Sequence, residues 1–160
     1  MLELLELLRA DLDDRGLRTA ALLRRSHPFD KELQIAGLLH CLGSLLRLSD
    51  GAVTVGVAAE SIRPLLGERV ARLVRLQAPH RPTDAHAGRR DGDDAEAEAV
   101  ATLCQARDSA AAAGLDAGVL EDWRPLLELV AAGACRAGSP GNARDPLGSP
   151  RGSSGPYRTS

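Results

Sequence analysis

The chain has 160 residues, with 22 acidic side chains against 20 basic ones and a formal net charge of -2. That balance excludes the electrostatic footprint of a nucleic-acid binder, and the length allows one core plus a tail. Aromatic residues make up only 2% of the chain, so the interior has to be built from leucine, valine and alanine, which suits close helix packing and predicts an all-α fold.

Residues 2–9 repeat leucine pairs between glutamates at helical spacing. Asp13 and Asp14 are placed to cap a second helix, continued by Leu17, Ala20, Ala21, Leu22 and Leu23. His27-Pro28 stops it, because the residue before a proline is pushed out of the helical region. Asp30 is the predicted N-cap of a helix over 31–46, whose Leu33, Ala36, Gly37, Leu38, Leu39, Leu42, Leu45 and Leu46 leave little polar face. This helix is expected to be the most buried. A turn at Ser49-Asp50-Gly51 leads to helices over 55–66 and 68–78, hinged near Pro64 and Gly67, with Val70, Leu73, Val74 and Gln77 on one side of the second. Residues 79–94 read as a loop, and 96–113 as an alanine-rich helix closed by Gly114. A last helix follows Asp122-Trp123-Arg124-Pro125, with Leu126, Leu127, Leu129 and Val130 expected inward.

Residues 1–137 thus form one helical domain, and 138–160, rich in Gly, Pro, Ser and Arg, a disordered tail. The N-terminus has no basic segment leading into an apolar run, and no stretch reads as a membrane span, so the expectation is a cytoplasmic protein without a membrane partner. Cys41, Cys104 and Cys135 are odd in number and far apart, which argues for free thiols.

Few residues can do chemistry. His40 ends an apolar run, where a neutral imidazole needs a hydrogen-bond partner or a metal, and a satisfied core histidine outweighs a ligand. His80 and His86 flank Asp84, offering imidazole and carboxylate together but in no compact zinc spacing. His27 reads as a surface cap. Cys41 lies about 100° round a helix from His40, so that histidine is not automatically its base. There is no Walker loop, dinucleotide fingerprint, Gly-x-Ser-x-Gly elbow or His-Glu-x-x-His pair.

Ala36-Gly37-Leu38-Leu39-His40-Cys41-Leu42-Gly43 resembles the central motif of the HD-domain superfamily, Ala-Ala-Leu-Leu-His-Asp-Ile-Gly-His. Ile62-Arg63-Pro64-Leu65-Leu66-Gly67, Leu73-Val74-Arg75-Leu76 and Trp123-Arg124-Pro125-Leu126-Leu127-Glu128 are similar to one branch, the di-iron oxygenases that cleave the carbon–phosphorus bond of hydroxylated aminophosphonates. The likeness spans about residues 12–132. It implies a compact HD-like helical bundle in which histidines and aspartates hold a metal pair.

Of those ligands only His40 keeps the family's residue. The other positions fall at Arg15, Cys41, Ser44, near Thr54, at Gln77 and near Arg107 or Asp108. An arginine at such a position puts a cation where the metal charge would sit, and a metal site normally needs at least three protein ligands. The resemblance therefore implies a degenerate HD-like protein, with His40 a remnant, no cofactor, and a non-catalytic binding or scaffolding role. Its emptied pocket would offer Arg15, Gln77 and Arg107 to a small anionic ligand; a protein partner is the other expectation. The alternative is an HD-type metal-dependent oxygenase or phosphohydrolase acting on a small phosphonate or phosphate. There iron or another divalent metal would be held by His40, His80, His86 and a carboxylate such as Asp84 or Asp108.

Overall fold

A computed structural model describes residues 2–9, 14–43, 46, 54–77, 91–112 and 116–138. Among the described residues the chain is all-α, as the shortage of aromatic residues predicts, and contains no strand. The helices are α1 (Leu2–Arg9), α2 (Arg15–Ser26), α3 (Lys31–Leu38), α4 (Val55–Leu66), α5 (Glu68–Leu76), α6 (Asp91–Ala112) and α7 (Arg124–Gly138), with a 3-10 turn at Leu120–Trp123. No helix among the described residues is long and apolar enough to cross a membrane. The turn predicted at residues 49–51, the loop over 79–90, Gly114 and tail residues 139–160 lie outside the described residues.

The predicted cap starts α3: Asp30 Oδ1 accepts from the Leu33 N–H at 3.0 Å, satisfying a donor that the first helical turn leaves without a partner. Leu33 through Leu38 are all buried, and α2, α5, α6 and α7 all pack on this one helix. It is the predicted central element. The helix is shorter than predicted, however. Instead of running to 46 it ends at Leu38, turns over residues 39–41, and becomes helical again at Leu42 and Gly43. Leu39 has φ -93° and ψ 0°, and the Leu42 N–H donates to the Leu39 carbonyl at 2.9 Å, a tight i to i+3 closure.

The break coincides with the close approach of α2. The His27–Asp30 loop folds α2 back antiparallel on α3, and Gly37 packs against Thr19, Ala20 and Leu23. Further along, a side-chain carbon on Gly16 would fall on the Leu38 carbonyl oxygen and within 3.5 Å of Cys41 Sγ. Only a glycine lets the α2 backbone sit this close to the end of α3. Asp14 immediately precedes α2, as predicted, but at φ 51° and ψ 25° and without a side-chain capping bond, so it marks the start without acting as the expected cap. At the other end the His27 N–H donates to Leu23 O at 2.7 Å, and the buried Gln34 Nε2 donates to His27 O at 2.7 Å. The helix stop predicted from His27-Pro28 is thus clasped onto α3.

Thr54 caps α4, its Oγ1 accepting from Val57 N at 3.3 Å, and Gly67 at φ 89° makes the predicted hinge into α5. Val70, Leu73, Val74 and Gln77 are buried, with Arg69 and Arg75 exposed on the opposite side. α6 begins at Asp91, five residues before the predicted start at 96: Asp91-Gly92-Asp93-Asp94 reads as loop chemistry, yet acidic residues in a first turn favour the positive end of the helix dipole. In α7, Leu127 and Val130 face inward as predicted, whereas Leu129 is 55% exposed. Two residues of helix rotate Leu129 by about 200° from Leu127, onto the outer face.

Candidate functional site

The resemblance puts interest on the turn at the end of α3. Two packings decide what meets it. The antiparallel α2 brings its first turn, Arg15 and Gly16, onto Leu38 and Cys41. On the other side α5 runs in the same direction as α3, because Arg69 at its start holds Asp30 and Glu32 at the start of α3. Arg69 Nη1 and Nη2 donate to the two Asp30 carboxylate oxygens at 2.7 and 2.6 Å, and Nη1 donates to Glu32 Oε2 at 3.0 Å. With their first turns tied and the two helices side by side, both last turns lie at one end of the bundle. Gln77, the C-cap of α5, therefore shares that end with His40 and Cys41.

His40 is half-buried, and its Nδ1 lies 2.9 Å from the Gly37 carbonyl oxygen. A carbonyl only accepts, so the ring carries a proton on Nδ1 in this contact. The hydrogen bond is made within its own turn, which is how a histidine at the end of an apolar run becomes satisfied. Cys41 is half-buried beside it. Gln77 is 8% exposed, and its Nε2 is buried with no hydrogen-bond partner among the described residues. Arg15 is exposed. Arg107 stands apart in chemistry: it is carried by α6, where its Nε donates to the neighbouring Asp108 Oδ1 at 3.2 Å. Arg15 thus sits beside the Gly16 approach to Leu38 and Cys41, Gln77 ends α5 with no described contact to that turn, and Arg107 lies on α6. Thr54 is engaged as the α4 cap. Ser44, His80, Asp84 and His86 lie outside the described residues.

A cavity of about 10 Å³ touches this turn through Gly16 and Leu38, with Leu8, Asp14, Leu17 and Leu120 around it. It holds no more than a water. Among the described residues no group of three His, Cys, Asp or Glu side chains is placed to hold a metal ion. Larger grooves lie at the opposite end. One of about 320 Å³ is lined by Glu68, Arg69, Arg72, Ala95 and Glu96, where Arg72 Nη2 pairs with Glu96 Oε2. Another of about 460 Å³ runs between α4 and α7 past Pro64, Gly67, Gly133 and Ala134.

Sequence reasoning missed the Arg69 clasp, since its partners lie 37 and 39 residues away. The available signal was an acid at the N-cap and first turn of α3 and an arginine in the first turn of α5. A buried amide donor without an acceptor costs about 1–3 kcal/mol. Gln77→Leu is therefore expected to raise stability by about 1 kcal/mol, read as a higher urea midpoint; a lower midpoint would mean that an acceptor is bound to Nε2. Comparison with protein-family models, with curated proteins and with solved structures finds no match to this chain.

Proposed function

We propose that the chain is a degenerate HD-domain-like protein with a non-catalytic binding or scaffolding role. The observation that carries this reading is the shortage of metal ligands around the α3 turn. Arg15 brings a cation, Gln77 a neutral amide, and His40, its Nδ1 proton held by Gly37, keeps one lone pair on Nε2. One imidazole is not enough: a divalent cation needs several convergent lone pairs with negative charge. Arg15 at that end opposes one by Coulomb repulsion. The small α2 and α3 residues that bring these groups together serve helix packing, which is the use a binding or scaffolding domain has for such a core.

The test is the metal content of the purified full chain and of its His40→Ala variant. The expected result is iron, manganese and zinc far below one atom per chain in both. Near-stoichiometric metal that disappears in His40→Ala would overturn the proposal and establish the metal-dependent oxygenase or phosphohydrolase alternative. A thermal-shift screen with phosphate, phosphonate and nucleotides then reads the small-anion branch; an upward shift that Arg15→Ala or Gln77→Leu removes assigns the anion to this end.

A further inference from the structure

Arginines on α5 are matched to acids: Arg69 holds Asp30 and Glu32, Arg72 holds Glu96, and Arg75 reaches Glu60 at 3.8 Å. Arg18, Arg24 and Arg25 on α2 have no such match among the described residues. Between Arg15 and Ser26 this helix has four arginines and no carboxylate. Arg18 and Arg25 make no ion pair among the described residues, and Arg24 instead lies over the Trp123 ring, 5.4 Å from its centroid. Arg18, Leu22 and Arg25 succeed one another at i, i+4 and i+7, so they form one row on the face turned away from the buried Gly16, Thr19, Ala20 and Leu23. Within that row Arg25 is exposed and Arg18 half-exposed, while Leu22 is half-buried and packs against the core. The turn that follows carries Phe29, the chain's single phenylalanine, 94% exposed.

We infer that this row is a docking surface for an acidic peptide segment of a partner protein, which pairs its carboxylates with Arg18 and Arg25 and lays an apolar side chain on Phe29. The inference deepens the binding role proposed above and rests on it. Guanidinium recognises carboxylate through paired N–H donors, and Arg18 and Arg25 stand about 10 Å apart along the axis, so they suit carboxylates two helical turns apart. Charge complementarity also selects a short partner. The whole chain is net negative, with 22 acidic side chains against 20 basic ones. A nucleic-acid duplex, with a charge every 1.7 Å or so, or a flat anionic membrane needs a broad basic face, which a chain of this charge does not supply. A short acidic segment needs only the two arginines of the row.

The test uses the full chain and fluorescein-labelled polyglutamate of about 20 residues at low salt, read by anisotropy. Saturable binding is expected, with at least a tenfold loss in Arg18→Glu/Arg25→Glu, no loss in Arg75→Glu, and progressive weakening as salt is added. Circular dichroism and melting temperature report whether the double variant folds, and Arg18→Gln/Arg25→Gln replaces it if it does not. Absence of saturable binding, an equal loss in Arg75→Glu, or tighter binding to duplex DNA or to phosphatidylserine vesicles would each overturn the inference. Metal content on the same samples keeps the two readings apart: metal lost with His40 would defeat the proposed function, while the anisotropy result speaks only to the α2 row.

Discussion

Gly16→Ala is expected to cost about 3 kcal/mol, the upper part of the range for forcing an extra carbon into a packed interior, and to lower the urea midpoint accordingly. The added methyl falls on the Leu38 carbonyl oxygen, and backbone cannot rotate out of the way as a side chain can. Either α2 lifts from α3 or the 39–41 turn shifts, and each disturbs helices that also pack on α6 and α7. Gly37→Ala supplies the control on the same interface. Its methyl meets Leu23 Cδ1 at 2.5 Å, the far end of a flexible side chain, and alanine recovers about 1 kcal/mol of helix propensity. Its net cost is expected to stay within about 1 kcal/mol. Equal costs for the two substitutions would show that the Gly16 approach does not hold the end of α3 in place.

Local chemistry made much of this fold readable. Asp30 caps α3, His27-Pro28 ends α2 and Gly67 bends the chain into α5, each through a property of one residue and its neighbours. The break at Leu39 was not readable, because the apolar run continues through Leu42 and the element packed against it, Gly16, sits more than 20 residues upstream. The early start of α6 was hidden by residues that favour a loop and a helix N-terminus equally. Leu129 was misplaced because one leucine in a run of apolar residues does not reveal its face until the helix phase is set by Leu127 and Val130. At the candidate site, His40 and the buried side of α5 that includes Gln77 followed from the pattern. The tie between the starts of α3 and α5 did not, since Arg69 reaches Asp30 across 39 residues of chain.

The fold and the two ends of the bundle divide the work. The Arg69 clasp lies where α3 and α5 begin, and the turn that carries His40 lies where α3 ends. Substitutions at the Arg69 end therefore report on stability, as Gln77→Leu does through its buried amide, while those at His40 report on what that turn binds. The α2 row belongs to neither group, because its arginines support no described ion pair within the chain, so its loss is expected to change partner binding with little change in stability.

Asp30→Ala is expected to cost about 1–2 kcal/mol, since one carboxylate performs two tasks. It caps α3 through Leu33 N, a bond worth about 1 kcal/mol at such positions, and it receives both arms of Arg69 in a half-exposed ion pair of more modest value. Asp30→Asn keeps an oxygen for the cap and loses the charge, so its cost should be nearer 1 kcal/mol. The distinction is visible in pH. The hydrogen bond from Arg69 is the largest cause holding the Asp30 carboxyl below the usual carboxylate range; the Leu33 N–H adds to it and burial works against it. Between that depressed folded value and the unfolded value near 4, the unfolded chain binds a proton that the folded chain does not, so stability rises with pH through this window. The contribution is complete above the unfolded value and is lost as pH falls through the folded one. Urea midpoints measured from pH 7 down to pH 2 should therefore fall more steeply for the wild type than for Asp30→Asn, and the gap between the two proteins should narrow in acid. Parallel curves would show that Arg69 does not depend on the Asp30 charge to tie α5 to α3.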